Sequence, residues 1–250
     1  MEKFINIPNI PEYTVKTVAI DYRTDIEIIR TLNELGIETI KTVGCKELYD
    51  SIQGHPDILM HHIGGNAIVL APNIYEDFAN KLIKKGFAVT KGDTWLSRNY
   101  PQNIAYNVLR IGEYAFHNLK FTDRQIRIIY ENMNIKMINV NQGYSKCSVC
   151  VVNEKSVITS DKAFSRKLEK HGIETLLIKP GDIKLEGFNY GFIGGTAGLV
   201  SNFELAFTGY VNNLKDYKRI MEFLDLKGIA VKILSSKKII DIGSIIPLTY

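Results

Sequence analysis

Long apolar runs are missing from this 250-residue chain. No stretch approaches the ~20 residues that a membrane-spanning helix needs, so no membrane partner is expected. Cysteine is scarce. Three of them, an odd number, argue against a disulfide framework and for a reducing compartment, and a cytoplasmic protein is expected. The N-terminal "MEKFINIPNIPEYTV" lacks a basic start followed by an apolar core, so no secretory signal is expected. Charge of one sign is missing too: 31 basic against 27 acidic residues give a net charge of +4, with no run of like charges. Nucleic-acid binders cluster their basic residues, so a nucleic-acid partner is not expected. The chain has one CxxC, Cys147 and Cys150, and only Cys45 besides. Residues three apart on a strand face opposite sides, so the pair is not set to chelate, and neither a metal nor another cofactor is expected.

What is present is ordinary globular composition, 45% hydrophobic and 23% charged, enough for a single domain over residues 1–250. Within it, "GIETI" at 36–40 reappears as "GIETL" at 172–176. Each copy follows a stretch with apolar residues at helical spacing, "DIEIIRTLNEL" and "DKAFSRKLEKH". Thr24 or Asp25 suits the first helix start and Ser160 or Asp161 the second. Gly36 and Gly172 suit the left-handed position just past each end. The same unit recurs in "NIYEDFANKLIKKG", in "FTDRQIRIIYENMN" (ending on Asn134) and in "NNLKDYKRIMEFLDLKG". A short apolar strand precedes each helix, at 18–21, 68–71, 114–117, 157–160 and 205–208, and another follows it. Five strand–helix–strand units at intervals of roughly 40 to 50 residues signal a repeat architecture.

Between the units lie five strand-like segments rich in polar residues or glycine: 57–65, 104–112, 144–152, 190–200 and 239–248. The last has no unit after it and is free to pair with the first, closing a ring without exposed edges. The expected fold is therefore α/β: a five-bladed, pseudo-symmetric β/α-propeller of five ββαβ units closed by the C-terminal strand.

That pattern resembles the pentein fold of the guanidine-modifying enzymes. With its ending "DIGSIIPLTY", the chain is most similar to an uncharacterised bacterial branch of that superfamily. The resemblance implies arginine-like ligands, a cysteine nucleophile near the C-terminus, a histidine on the fourth inner strand and carboxylates that grip a guanidinium. Two of these positions are not filled. Pro247 falls about where the cysteine belongs, and no cysteine follows Cys150. Gly194, Gly195 and Thr196 stand where the histidine belongs. Ordinary deiminase or amidinotransferase chemistry is thus not expected.

Polar residues remain on the inner segments. Asp57 and His61, four apart on an extended strand, point the same way. Asn107, Lys146, Cys147, Ser148, Thr196 and Asp241 lie on the others, and Asp57 and Asp241 offer carboxylates to a cation. Cys147 and His61 are the candidate catalytic pair, a relocated thiolate–imidazole couple in which His61 or Lys146 lowers the thiol pKa. Bland readings stand beside these: Cys147 as a small buried side chain, Asp57 as a turn residue, and His61 and His62 as packing on opposite faces. Glycines in "GFIGGTAG" mark strands crowding the axis rather than a phosphate loop. Trp95 either covers the mouth of the ring or anchors its loop by burial. Two functions follow. One is binding of a small polar metabolite, guanidino or amino-acid-like, with hydrolase or transferase action on C–N bonds if Cys147 and His61 are catalytic. The other is a non-enzymatic docking module for a protein or the ribosome, as a ribosome anti-association factor of the same fold implies.

Overall fold

The computed structural model describes residues 2–250. Its fifteen strands form five three-stranded sheets. In chain order these comprise β1 (Thr17–Ile20), α1 (Ile26–Glu34) and β2 (Glu38–Lys41), then α2 (Pro56–Leu59), β3 (Met60–Gly64), β4 (Ala67–Leu70), α3 (Tyr75–Ile83) and β5 (Ala88–Lys91). The third unit is β6 (Leu109–Ile111), β7 (Tyr114–His117), α4 (Arg124–Asn132) and β8 (Lys136–Asn139). The fourth is β9 (Val149–Asn153), β10 (Ser156–Thr159), α5 (Lys162–Glu169) and β11 (Glu174–Leu177). The fifth is β12 (Ala197–Ser201), β13 (Glu204–Phe207), α6 (Tyr217–Leu226) and β14 (Ala230–Ile233), and β15 (Ile246–Thr249) follows.

Every sheet has one plan: an inner strand antiparallel to a middle strand, which runs parallel to an outer strand. A helix connects the two parallel strands, as parallel pairing requires a crossover. The first sheet takes its inner strand from the far end of the chain. β15 pairs with β1, setting Val18 against Pro247 and Ala19 against Ile246, so the expected closure is formed. A bridge between Phe4 and Thr249 lays the N-terminal segment along the other side of β15.

The helices obey local rules. α1, α4 and α5 start at Asp25, Asp123 and Asp161, whose carboxylates accept from backbone N–H groups of the first turn. Past the helix ends, Gly36, Gly86, Asn134, Gly172 and Gly228 all have positive φ, between 55° and 89°. Only glycine and asparagine adopt that conformation cheaply. Each helix buries a stripe three to four residues apart, such as Ile28, Ile29 and Leu32 on α1 or Phe164 and Leu168 on α5. Each such side chain contributes about 1.5–3 kcal/mol. The outer strands are partly exposed, whereas β1, β10 and β15 are buried throughout. The core therefore lies between helices and sheets and continues to the axis.

The inner segments differ from expectation in one respect. Only their C-terminal halves are strand. Asp57 lies in the short helix α2, which Pro56 opens, and so does not share an extended strand with His61. Asn107, Lys146, Cys147 and Ser148 lie in turns ahead of β6 and β9, and Thr196 closes a 3-10 turn at 194–196 ahead of β12.

Candidate functional site

Those turns build the site. Asn107, Cys147, Gly195 and Ser244 each stand two residues before an inner strand, and Asp57 stands three before β3. Hydrogen bonds link the five turns in a closed circuit. Asp57 N donates to Gly243 O (3.3 Å), Asn107 Nδ2 to Asp57 O (2.9 Å), and Lys146 N to Asn107 O (3.3 Å). Gly195 N then donates to Cys147 O (3.0 Å) and Ser244 N to Gly195 O (2.9 Å). The glycines of "GFIGGTAG" allow this approach. A Cβ at Gly194 would collide with Val149 O, and one at Gly195 with the Asp241 carboxylate, so they serve close packing as expected. Ser244 adopts φ +77°, a strained conformation for a residue with a side chain.

Side chains converge inside the circuit. The Cys147 thiol donates to Asp57 Oδ2 (3.0 Å) and accepts from Asn107 Nδ2 (3.0 Å). Asn107 Oδ1 accepts from Lys146 N (2.8 Å) and Cys147 N (3.2 Å), so this one amide holds Asp57 and Cys147 in register. Ser244 Oγ lies 2.7 Å from Asp57 Oδ2 and 2.8 Å from Gly194 O, and accepts from Lys146 Nζ at 3.0 Å. Among the described residues, no group donates to the buried Asp57 Oδ1. Asp241 accepts from Phe192 N (2.8 Å) and Gly243 N (2.9 Å), and its Oδ1 is 3.9 Å from His55 Nδ1.

Beside this cluster opens a cavity of about 270 Å³. Its floor is Cys147, Asp241 and His55, and its walls are Ile52, Ile58, Tyr144, Leu185, Phe188, Asn189, Tyr190 and Phe192. Tyr144 and Phe192 face each other at 6.1 Å, and Tyr49 stands edge-on behind Phe188 at 5.8 Å. A mostly apolar cavity with a few convergent polar groups is the usual form of a small-molecule site.

Burial, then the charges of Asp57 and Asp241, pushes the Cys147 thiol well above its ordinary pKa; the Asn107 hydrogen bond opposes this weakly. The lowered thiol pKa expected from His61 or Lys146 is therefore overturned. The Asp241 carboxyl is also raised, by burial first and by Asp57, with His55 opposing. Two carboxylates thus crowd one thiol in a low-dielectric pocket, and the only lysine among them, Lys146, bonds to Ser244 rather than to either.

Of the expected site residues, Asp57, Asn107, Lys146, Cys147 and Asp241 come together. Ser148 and Thr196 are buried and bond within their own turns, to Ser145 O and Ile193 O. His61 does not pair with Cys147. Its Nε2 is 2.5 Å from the Tyr130 hydroxyl on α4, and burial holds the ring neutral. The cavity's histidine is instead His55, which, like Ser244 and the aromatic walls, carried no periodic signal in the sequence. Cys147 and Cys150 pack into different cores. Trp95 is 65% exposed and lines no part of the cavity, so neither expected role holds; Phe188 and Tyr190 stand at the mouth. Pro247 lies within β15, and the closing segment joins the circuit through Gly243 O and Ser244 N.

A family of unknown function (DUF6873) has a sequence model that matches residues 19–246. The chain belongs to that family. No curated protein matches it. Among solved structures, it is similar to a dimethylarginine dimethylaminohydrolase from Pseudomonas aeruginosa, complexed with citrulline. The two share 10% identity over 88% of this chain and 92% of that one, with a TM-score of 0.57. It is also similar to the inosamine-phosphate amidinotransferase of Streptomyces griseus, at 10% identity over 92% and 91% of the two chains and a TM-score of 0.57. The agmatine deiminase of C. jejuni matches at 12% identity over 94% and 90%, with a TM-score of 0.51. At such identities the likeness establishes the fold alone, and this DUF6873 chain has the five-bladed, pentein-like fold.

Proposed function

We propose that the chain binds a small cationic metabolite, a guanidino compound by preference, in the cavity floored by Asp241, Cys147 and His55. One observation carries this reading: Asp241 is buried and lines the cavity with no cationic partner nearer than His55 Nδ1 at 3.9 Å, and the buried Asp57 behind Cys147 keeps one oxygen without a donor. Opposite charges about 4 Å apart attract by ~4 kcal/mol at the effective dielectric of partly buried pairs. A cation entering here gains that attraction and relieves the repulsion between the two carboxylates. The aromatic walls add cation–π attraction.

A catalytic role for Cys147 extends the same reading. A bound cation opposes the field that keeps the thiol protonated. Sγ then attacks the guanidinium carbon while its proton passes to Asp57 Oδ2. The C–N bond that breaks releases an amine, protonated from His55, and water or a second amine later displaces the sulfur. His61, bonded to Tyr130, has no part in this step.

The test is thermal denaturation with butylguanidine and with its uncharged isostere butylurea. Saturation at a hundred times the dissociation constant adds ~2.7 kcal/mol, or several degrees for a chain of this size. The reading expects a shift with butylguanidine alone, abolished by Asp241→Asn. Equal shifts with both compounds, or none with either, would overturn it.

A further inference from the structure

A second, far smaller cavity of about 10 Å³ shares no lining residue with the first. Asp57 connects the two. Its Oδ2 accepts from Cys147 in the floor of the large cavity, and its side chain also lines the small one. Lys146 and His62 stand in the same wall, and all three are more than nine-tenths buried. The N-terminal segment closes the cavity with Pro8 and Asn9. It is tied down where Gly65 N donates to Ile5 O (2.9 Å) and Asn9 Nδ2 to Arg110 O (3.5 Å). Every residue of the wall is buried.

Three polar groups in this wall have bonding capacity left. Among the described residues, no group donates to Asp57 Oδ1 or to His62 Nδ1, and both atoms are buried. His62 Nε2 lies 2.9 Å from Gly65 O. A carbonyl only accepts, so Nε2 carries the proton, and burial keeps the ring neutral; Nδ1 is then a bare acceptor. Lys146 Nζ has three hydrogens to donate and gives one to Ser244 Oγ. The other polar groups of the wall are spent: His61 Nε2 bonds to Tyr130, and the Tyr106 hydroxyl to Thr94 O. Charge sets the next limit. One ammonium and one carboxylate balance here, so an ion of either sign would bury net charge at high cost. A space of about 10 Å³ admits one water and nothing larger. We infer that this cavity is the site of a single structural water, which accepts from Lys146 Nζ and donates to Asp57 Oδ1 and His62 Nδ1. Three bonds are the usual complement of a buried water. Lys146 thereby reaches both oxygens of Asp57 without touching either: Oδ2 through Ser244 Oγ and Oδ1 through the water. The site stands whether or not a cation binds in the large cavity.

The test is a high-resolution crystal structure of the intact protein, with parallel crystals grown in sodium bromide. One peak within hydrogen-bond distance of Lys146 Nζ, Asp57 Oδ1 and His62 Nδ1 is expected, without anomalous signal from bromide. Contacts shorter than hydrogen bonds would mark a sodium ion, and anomalous scattering would mark an anion. Either result overturns the inference, as does a cavity without density. Two solution measurements read the same site. In protein labelled with nitrogen-15 histidine, His62 Nδ1 should show the upfield displacement of a hydrogen-bonded imine nitrogen; the shift of a bare one would refute the water. His62→Phe removes one of its two acceptors, and oxygen-17 relaxation dispersion should then count one long-lived water fewer than in the parent. An unchanged count in a folded variant would also refute it, and the nitrogen-15 measurement decides the matter on the parent if that variant does not fold.

Discussion

Replacing Asn107 by alanine tests the circuit of turns directly. The Asn107 side chain is fully buried and makes four hydrogen bonds: it accepts from Lys146 N and Cys147 N and donates to Asp57 O and Cys147 Sγ. Lys146 N retains the backbone contact to Asn107 O, and sulfur is a weak acceptor, so those two losses are small. Cys147 N and Asp57 O carry the larger penalty, because each is buried and loses the amide that satisfies it. At about 1–3 kcal/mol for each orphaned group, the variant should lose about 4 kcal/mol. At ~2–4 °C per kcal/mol for a chain of this length, its melting temperature should fall by about 10 °C. Thr196→Ala is the matched control. That threonine is equally buried but bonds only to Ile193 O in its own turn, so about 1 kcal/mol and about 3 °C are expected. Calorimetric scans of both variants and the parent supply the comparison. If Asn107→Ala melts no lower than Thr196→Ala, the amide does not tie the turns together, and the account of the site's rigidity is wrong.

Two further outcomes follow from the titrating groups. All three cysteines are buried, with Cys45 and Cys150 pushed up to about 12 by burial and Cys147 raised well above its ordinary value by burial and then by Asp57 and Asp241. Iodoacetamide at neutral pH should therefore label none of them quickly, and added butylguanidine should accelerate Cys147 alone; fast labelling of Cys147 without a ligand would contradict the electrostatics. His62 and His117 are buried and held to about 4 from an ordinary 6.5. Because the folded protein binds these protons less readily than the unfolded chain, their contribution is full above pH 6.5 and is lost as pH falls toward 4, by about 3 kcal/mol each. His117→Asn should melt with a shallower slope over that window, and an unchanged slope would show that His117 is not held neutral by the fold.

The ring was legible in the sequence because it is written in periodic signals. Helical spacing, Asp25 and Asp161 as caps, and left-handed residues at Gly36, Gly172 and Asn134 recur once per unit, and each repetition corroborates the others. The unpartnered last segment completed the inference. The site was legible only in part, because it is built from turns, which have no period. "DILMHHIGG" reads as one of the polar, strand-like inner segments from its first residue, yet Pro56 fits the first turn of a helix and starts one there. That single turn detaches Asp57 from His61 and brings His55 to the cavity instead. Nothing in "DIGSIIPL" discloses that Ser244 is left-handed. Phe188 and Tyr190 sit in a glycine-punctuated loop whose aromatic content predicts neither burial nor exposure. The carboxylates, by contrast, are legible because a charged residue on an inner segment of a ring has few places to go.

The circuit of five turns bears on how such proteins diverge. Four of its links run from backbone to backbone, so most of the frame is indifferent to the side chains it displays. What varies is a five-letter word read around the axis, here Asp57, Asn107, Cys147, Gly195 and Ser244. A descendant can change one letter, moving a sulfur from one turn to another or replacing it with a hydroxyl, and inherit the same scaffold. Asn107 and Gly195 are the exceptions, since one link runs through the Asn107 side chain and a Cβ at Gly195 would collide with the Asp241 carboxylate. Those two letters could not be rewritten without first finding another way to hold the word together.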